Sequence, residues 1–294
     1  MLNFTGTYTA IVTPFQSGGL DEAALARLIK MQIQGGVDGI IPVGTTGESP
    51  TLDYDEHIRV IELAVKLAAG KIKVLAGTGG NSTKEAIELT QRAEAEGADG
   101  SLQVAPYYNK PTPEGLFQHF AAIARATRLP IVLYSVPGRC GIEINVETVR
   151  RLARECPNIV GIKEASGNAD RVSQLRAALG PKFTILSGDD SLTLPFLSVG
   201  AQGVISVATN VIPRDVTNMV RAFTAGKVTA AQKLHAKFYP LFKDLFIETN
   251  PVPVKAALAM MGLIEEEYRL PLVPMGAKNR ETLQTTLQAC GVLK

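Results

Sequence analysis

Short apolar runs alternate with longer amphipathic stretches along most of the chain. Each run is rich in β-branched residues and leads into Gly, Pro, Ser or Thr, and a stretch rich in Ala, Leu and charged residues follows. Runs of this length and composition predict buried strands, and the stretches between them predict helices. Eight such runs occur, and they begin at Tyr8, Gly39, Ile72, Gly100, Pro130, Asn158, Phe183 and Gly203.

The amphipathic stretches carry start and stop signals as well as helical periodicity. In the first of them, Leu25 and Leu28 fall on one face of the predicted helix. Ser82 and Glu85 have the spacing of an S-x-x-E capping box. Gly180 stands where a later helix would stop. These signals place a helix after each strand.

Strands that alternate with helices favour a parallel sheet with the helices outside. Eight such units predict an α/β protein with a (β/α)8 TIM barrel, whose usual size is about 250 residues. We assign the barrel to residues 1–225 and a C-terminal helical domain, formed by further amphipathic stretches, to residues 226–294. A doubly wound open sheet is the alternative, but neither GxGxxG nor GxxxxGK[ST] occurs in the chain.

Composition narrows the functional class. The chain has 294 residues, of which 46% are hydrophobic and 20% are charged, with a formal net charge of +2. No basic stripe for nucleic acid occurs, and no apolar stretch reaches the ~18 residues of a membrane span. The three cysteines form no CxxC pair, which favours free thiols. The N-terminus lacks a basic start followed by an apolar run, so we predict a cytoplasmic protein without a signal peptide.

In a (β/α)8 barrel, functional side chains gather at the C-terminal ends of the strands. The second run ends in GTTGE (44–48), the fourth in PYYNKP (106–111), the fifth in YSVPGR (134–139) and the sixth in Lys163. No His stands at these ends, so neither metal ligation nor Ser-His-Asp hydrolysis is supported. We therefore expect hydroxyl, guanidinium and amine groups at the barrel mouth, and no metal site.

Lys163 is unusual because it ends a strand that otherwise looks buried. Strand alternation places Ile159, Gly161 and Lys163 on one face, where Gly161 would leave room below the lysine stem. One interpretation is a solvated lysine whose amine reaches water. The other is a desolvated amine with a lowered pKa, which could attack a carbonyl and form a Schiff base.

Four further residues at the strand ends could assist an amine nucleophile. Tyr134 could carry protons, although a tyrosine that caps the barrel core fits the pattern equally well. Thr45 and Thr46 could extend a hydroxyl relay, or could only serve the Gly-rich turn. Arg139 follows a Pro-Gly turn, where its guanidinium could hold a carboxylate or remain a solvated charge.

Other titratable residues fit structural roles better. Asp189 and Asp190 resemble a metal or acid–base pair, but an N-cap between strand and helix is the favoured interpretation. His57, His119 and His235 fall within helical patterns and are predicted to be surface or packing residues. Neither group is assigned to the chemistry.

Seven motifs, in this order, carry a family resemblance over nearly the whole chain: TAIVTPF, GTTGES, APYYNKPTPEGLFQHF, YSVPGRCG, VGIKEASG, LSGDD and NPVPVKAAL. With them, the sequence resembles the pyruvate-dependent class I aldolases of the dihydrodipicolinate synthase and N-acetylneuraminate lyase family. The resemblance implies a homotetramer built as a dimer of dimers. It also implies a reaction that needs no metal or organic cofactor.

The resemblance implies a role for each candidate at the barrel mouth. Lys163 would form a Schiff base with pyruvate. Tyr134, Thr45 and Tyr108 would form a proton relay, with Tyr108 reaching across a tight dimer into the neighbouring site. The groups that bind substrate would be Thr46 for the pyruvate carboxylate, a backbone carbonyl at Ile205, and Arg139 for the carboxylate of L-aspartate 4-semialdehyde.

Two positions favour a synthase over the sugar-acid lyases that the resemblance also covers. Such lyases do not usually carry an arginine at Arg139, and they tend to have Ser in place of Thr45. The implied reaction condenses pyruvate with L-aspartate 4-semialdehyde to 4-hydroxy-tetrahydrodipicolinate, in diaminopimelate and lysine biosynthesis. The alternatives are another pyruvate-dependent aldolase, such as N-acetylneuraminate lyase or a 2-keto-3-deoxy sugar acid aldolase, and a non-catalytic barrel that senses a keto acid.

Many members of the family are inhibited by L-lysine at a dimer interface, and the matching positions form a second candidate site. Sensitive bacterial enzymes often carry His where Tyr54 stands, and Pro50 replaces a more usual Ala. Glu85 could meet the lysine ammonium, or could only close the capping box with Ser82. The implied lysine site comprises Ser49, Tyr54, His57, Asn81, Glu85 and Tyr107.

Overall fold

Eight parallel strands close into a barrel, which confirms the predicted (β/α)8 architecture. The structure, a computed structural model, describes residues 4–293. Strands that follow one another in the chain are neighbours in the barrel, and the last strand pairs with the first. The strands are β1 (Gly6–Ala10), β2 (Gly39–Ile41), β3 (Lys73–Gly77), β4 (Gly100–Val104), β5 (Ile131–Ser135), β6 (Ile159–Glu164), β7 (Thr184–Ser187) and β8 (Gly203–Ser206).

Helices follow the strands and cover the barrel from outside. A short antiparallel hairpin, Phe15–Gln16 with Gly19–Leu20, separates β1 from the first helix. The helices are α1 (Glu22–Gly35), α2 (Tyr54–Ala68), α3 (Thr83–Ala95), α4 (Pro113–Arg125), α5 (Pro137–Cys140), α6 (Val146–Glu155), α7 (Ala169–Leu179), α8 (Thr193–Ser198), α9 (Pro213–Thr224), α10 (Val228–Asp244), α11 (Val252–Met260) and α12 (Ala277–Ala289).

The helix termini follow the chemistry of their capping residues. α7 ends at the predicted Gly180, which adopts a positive φ of 70°. Ser82 caps α3 by accepting a hydrogen bond from the Glu85 backbone N–H at 3.4 Å. The return bond from the Glu85 side chain, which a full capping box needs, is not formed. The Glu85 carboxylate therefore remains available to a ligand.

The start of β6 departs from the strict alternation that the sequence predicts. A register shift against β5 interrupts the alternation between Ile159 and Gly161, so these two residues do not simply share a face. Gly161 leaves no spare room either, because a Cβ there would lie 2.8 Å from the Thr184 carbonyl oxygen. Glycine is required here by the close approach of β7, and not by the lysine stem.

The C-terminal helices share one hydrophobic core with part of the barrel. Leu241 of α10 and Leu283 of α12 belong to the same buried cluster as Leu28 of α1, Ile61 of α2 and Val204 of β8. The division of the chain at residue 226 stays a prediction. Among residues 4–293, no helix combines the length and the apolarity that a bilayer crossing requires.

Candidate active site

The side chain of Lys163 is buried near the end of β6, with only 6% of the residue exposed. Its Nζ lies 4.1 Å from the ring centroid of Tyr134. Burial lowers the pKa of Lys163 to about 7, against an opposing effect of Asp190 and with a further lowering by Arg139. A lysine this deeply buried is not solvated, so the solvated interpretation is wrong. A large share of this amine is neutral at pH 7, which is the nucleophilic form.

Tyr134 lies opposite Lys163, because the two residues are direct partners in the pairing of β5 with β6. Burial raises the pKa of the Tyr134 phenol to about 12, and Arg139 and a hydrogen bond from Thr45 work against that rise. The phenol is therefore protonated at neutral pH and can donate a proton to a group bound at Lys163. The structure brings Lys163, Tyr134 and Thr45 together, as the sequence predicts.

The loop after β2, which carries Thr45 and Thr46, is held in an uncommon conformation. Val43 before the loop and Glu48 at its end have positive φ angles of 50° and 54°. Non-glycine residues in this region cost on the order of 1–3 kcal/mol each and persist only where the surroundings impose them. One contact that holds the loop in this conformation is a hydrogen bond at 2.7 Å from the Thr13 hydroxyl to the carbonyl of Gly47.

Asn250 connects two of the predicted binding residues. Its side-chain Nδ2 donates to Thr46 Oγ1 at 3.0 Å, and its backbone carbonyl accepts from Arg139 Nη2 at 3.1 Å. Its Oδ1 is buried and accepts no hydrogen bond from the described residues. Sequence analysis assigns Asn250 no role, although it begins the NPVPVKAAL motif. Only the folded chain places it at the mouth of the barrel.

A cavity of about 140 Å³ lies above Lys163. It continues into a second cavity of about 220 Å³, because Thr45, Tyr134 and Arg139 line both. The inner volume is far below the roughly 300–1,000 Å³ of sites for drug-sized ligands, so it suits a small acid. The inner cavity is also lined by Ala10, Ile41, Gly44, Thr46, Leu102, Val136, Ala165, Gly188, Asp189, Val207, Phe246 and Asn250.

Two predicted site residues do not line this cavity. Ile205 is fully buried in β8, where its direct partner is Tyr8, and Val207 lines the cavity instead. Tyr108 is 91% exposed and has a positive φ of 73°. The ring of Tyr108 is thus exposed to solvent and lies outside the cavity of its own chain, so it cannot take part in that chain's relay.

Asp190 is a buried residue whose position only the structure reveals. Its carboxylate accepts hydrogen bonds from Ser206 Oγ at 2.5 Å and from the backbone N–H groups of Val207 and Ala208 at 3.0 Å. It therefore caps the turn after β8, and the predicted cap on its own helix is wrong, because α8 has no side-chain cap. Burial raises the pKa of Asp190 to about 6, despite these hydrogen bonds.

Glu164, next to Lys163, has a structural role that the sequence leaves unexplained. Its side chain is fully buried and pairs with Arg171 at 2.7 Å. It also accepts the backbone N–H of Ser166 at 2.7 Å. Arg171 in turn donates to Glu143 at 2.9 Å and to the carbonyl of Ile144. Glu164 therefore fixes the turn that follows Lys163 and does not enter the cavity.

A third cavity, of about 140 Å³, brings most of the predicted lysine site together. Asn81 does not line it, but its Nδ2 donates to the backbone carbonyl of Tyr107 at 3.2 Å. His57 Nε2 lies 2.9 Å from the carbonyl of Gly77, and burial lowers the pKa of this histidine. The predicted residues in the cavity wall are Ser49, Tyr54, His57, Glu85 and Tyr107, and Pro50 lines the cavity as well.

The second and third cavities share part of their walls, namely Ser49, Pro50, Gly79 and Tyr107. A ligand in the third cavity would therefore touch residues that also face the way into the active site.

Among residues 4–293, no group of three or more His, Cys, Asp or Glu side chains could hold a metal ion. The three cysteines are unpaired, in agreement with the predicted free thiols.

Comparison with known proteins gives the family. The model of the dihydrodipicolinate synthetase family matches residues 3–290. A 4-hydroxy-tetrahydrodipicolinate synthase from Aquifex aeolicus (strain VF5) is 52% identical over 285 residues, which is 97% of each chain. The solved structure of the same enzyme from Methylacidiphilum fumariolicum SolV is 58% identical with a TM-score of 0.98, and it covers 98% of this chain and 96% of that chain.

A third relative carries a ligand. The solved structure of DHDPS from Cyanidioschyzon merolae with lysine bound is 43% identical with a TM-score of 0.96, and it covers 99% of each chain. The matched regions of these relatives cover the barrel and the C-terminal helices alike. The chain belongs to the dihydrodipicolinate synthetase family.

Proposed function

We propose that the chain condenses pyruvate with L-aspartate 4-semialdehyde to 4-hydroxy-tetrahydrodipicolinate, a step of diaminopimelate and lysine biosynthesis in the cytoplasm. One observation carries the proposal: a buried amine with a pKa near 7 lies beside a protonated phenol in the wall of a small cavity. The enzyme names of the relatives agree with it. No observation favours a sugar-acid lyase.

The geometry supports a stepwise mechanism. The neutral Lys163 amine adds to the pyruvate ketone to give a carbinolamine. Protonation of its hydroxyl group and loss of water then leave an iminium ion. Loss of a methyl proton then gives an enamine, whose carbon forms the new bond to the aldehyde carbon of the semialdehyde. The substrate amine attacks the imine carbon, closes the ring and releases Lys163. Tyr134 and Thr45 carry the protons of these steps.

A coupled assay with both substrates tests this proposal directly. Ring formation should depend on pyruvate and on the semialdehyde, and neither should be consumed alone. Cleavage of N-acetylneuraminate or of a 2-keto-3-deoxy sugar acid, without any condensation, would contradict the proposal. Binding of pyruvate without turnover would instead identify the keto-acid sensor, which has no need of the whole set of nucleophile, phenol, hydroxyl and guanidinium.

Arg139 is expected to select the second substrate. Its guanidinium is exposed at the cavity mouth and can bind a carboxylate in bidentate fashion. Arg139→Ala should raise the KM for the semialdehyde by about tenfold or more, with a much smaller effect on pyruvate. Arg139→Lys is the matched control, because it keeps the charge and loses the planar fork. Steady-state kinetics with each substrate varied in turn measures both constants, and equal losses for the two substrates would reject this role.

We also propose that L-lysine inhibits the enzyme from the third cavity. The free carboxylate of Glu85 would meet the lysine ammonium, and the half-formed cap on α3 leaves that carboxylate available. Glu85→Gln should raise the lysine concentration for half-inhibition by about tenfold or more, because an ion pair is replaced by a neutral contact. Ser82→Ala, which removes the cap and keeps the carboxylate, should leave that concentration nearly unchanged. Equal shifts in both variants would show that the helix cap alone matters.

The exposed Tyr108 supports the proposed pairing of two copies. Tyr107 and Tyr54, at the third cavity, are also unusually exposed for aromatic residues, at 38% and 41%. A second copy seated on this face would bury these rings and would bring Tyr108 into the neighbouring active site. We propose such dimers, joined in pairs as a homotetramer.

A further inference from the structure

Two fully buried charged residues take no part in the proposed chemistry. Lys255 of α11 donates from Nζ to Glu48 Oε1 at 2.5 Å, and neither side chain is exposed to solvent. Glu48 ends the GTTGE loop and Lys255 belongs to the NPVPVKAAL motif. The pair therefore joins the loop that carries Thr45 and Thr46 to a C-terminal helix, across 207 positions of sequence.

The surroundings of the pair are arranged for an ion pair and not for a solvated charge. Lys255 Nζ lies 4.3 Å from the ring centroid of Phe15 and 5.3 Å from that of Tyr268. The second carboxylate oxygen of Glu48 accepts the backbone N–H of Arg269 at 3.4 Å. Two aromatic faces and one backbone donor thus surround charges that water does not reach.

Such a pair is not needed for stability alone. Desolvation of two buried charges can exceed their attraction, and apolar replacements of similar volume are often neutral or stabilising. The presence of a buried ion pair is therefore better explained by a role in positioning a segment of the chain. Here the reason is visible at Glu48, whose backbone has a positive φ of 54° and which ends the strained segment that begins at Val43.

A second contact ties the same two segments together. Asn250 stands five positions before Lys255 and donates to Thr46, which stands two positions before Glu48. The carbonyl of Asn250 also holds Arg139. The C-terminal segment 250–255 therefore contacts the loop at two points. Asn250 binds Thr46 in the cavity wall, and Lys255 binds Glu48 behind that wall.

We propose that Glu48 and Lys255 are positioning residues, whose buried ion pair locks the loop Gly44–Glu48 so that Thr45 and Thr46 face the bound keto acid. The C-terminal helices then act as part of the catalytic machinery through this contact. The effect on pyruvate rests on the proposed function, whereas the locking of the loop does not.

The test uses the double variant Glu48→Gln/Lys255→Met, which removes both charges and keeps the approximate shape. It leaves no unpaired buried charge, unlike either single variant, so folding should be retained. Hydrogen exchange of the peptide 43–54 should become about tenfold faster or more, as the loop opens locally. The KM for pyruvate should rise by about tenfold, and the rate of borohydride trapping at subsaturating pyruvate should fall in parallel.

Leu28→Ala supplies the matched control, because Leu28 is buried in α1, outside the loop Gly44–Glu48, and its truncation lowers stability without removing a charge. It should leave both the exchange of 43–54 and the KM for pyruvate near their wild-type values. A double variant with a lower melting temperature, unchanged exchange of 43–54 and unchanged KM would overturn the proposal and leave a purely stabilising pair. If the double variant does not fold, Glu48→Asp replaces it, because this substitution keeps the charge and shortens the side chain. The hydrogen exchange of 43–54 should then become faster and the KM for pyruvate should rise, as in the double variant.

The two parts of the test fail separately. If the wild-type protein does not trap pyruvate at all, the proposed function is wrong, but the hydrogen exchange still tests the lock. If the wild-type protein traps pyruvate and the double variant exchanges no faster, the lock is wrong and the proposed function stands.

Discussion

Lys163→Ala is expected to abolish both turnover and the covalent adduct that borohydride traps with pyruvate. The amine supplies the electrons for the Schiff base, and no neighbouring side chain can replace it in the cavity wall. Loss of a nucleophile that acts within a coupled set can reduce kcat by a factor on the order of 10⁴ or more. Mass spectrometry of the reduced protein measures the adduct, and a coupled assay measures turnover.

The chain contains an internal control for this experiment. Lys255 is also buried, but it is paired with Glu48 at 2.5 Å and does not line the cavity. Peptide mapping should therefore place the whole adduct on Lys163 and none on Lys255. An adduct of normal yield in Lys163→Ala would contradict the mechanism.

The same experiment has a predicted dependence on pH. Burial lowers the pKa of Lys163 to about 7, and only the neutral amine reacts. The trapping rate should therefore be low at pH 5, rise through a midpoint near 7 and level off above pH 8. A midpoint near 10 would show that the amine is solvated before the substrate binds.

Tyr134→Phe is expected to have the second largest effect. Phenylalanine keeps the buried ring and its packing against Lys163, but it removes the phenol that lines both cavities. Loss of a positioned proton carrier typically costs a factor of about 10²–10⁴ in rate. We expect kcat to fall within this range, with the melting temperature little changed. Steady-state kinetics and thermal unfolding measure the two quantities.

Thr45→Val provides the companion variant for the relay. It keeps the shape of the side chain and removes the hydroxyl that hydrogen-bonds Tyr134. Its kcat should also fall, though less than in Tyr134→Phe, because the phenol itself remains. Near-normal turnover in Tyr134→Phe would remove Tyr134 from the relay, whatever Thr45→Val shows.

The periodic pattern of the chain was sufficient to predict the barrel. Seven of the eight apolar runs contain one barrel strand each, and the first overlaps β1, which begins two residues earlier at Gly6. Strand and helix periods are local properties that a short window of sequence expresses. The helix stop at Gly180 was predicted for the same reason. The interruption of alternation in β6 was not, because it depends on the register between β5 and β6.

The predicted site shows the same division. The rule that functional groups lie at the strand ends selected four residues that line one cavity: Thr45, Tyr134, Arg139 and Lys163. The choice between a solvated and a nucleophilic Lys163 stayed open from the pattern, since it depends on how much water the folded barrel excludes. The cap expected from Asp190 on its own helix was wrong, because its carboxylate accepts a hydrogen bond from the backbone of Val207, after β8. Which of the two segments the carboxylate meets is decided by tertiary packing.

The sequence by itself determined the order of strands and helices, the barrel they form and the identity of the residues at the strand ends. It could do so because hydrophobic periodicity and capping signals act between residues close in the chain. Only the tertiary structure decided the pKa of Lys163, the contact of Asn250 with Thr46 and the ion pair of Glu48 with Lys255. These arise from burial and from contacts between residues about 200 positions apart, which no local pattern encodes.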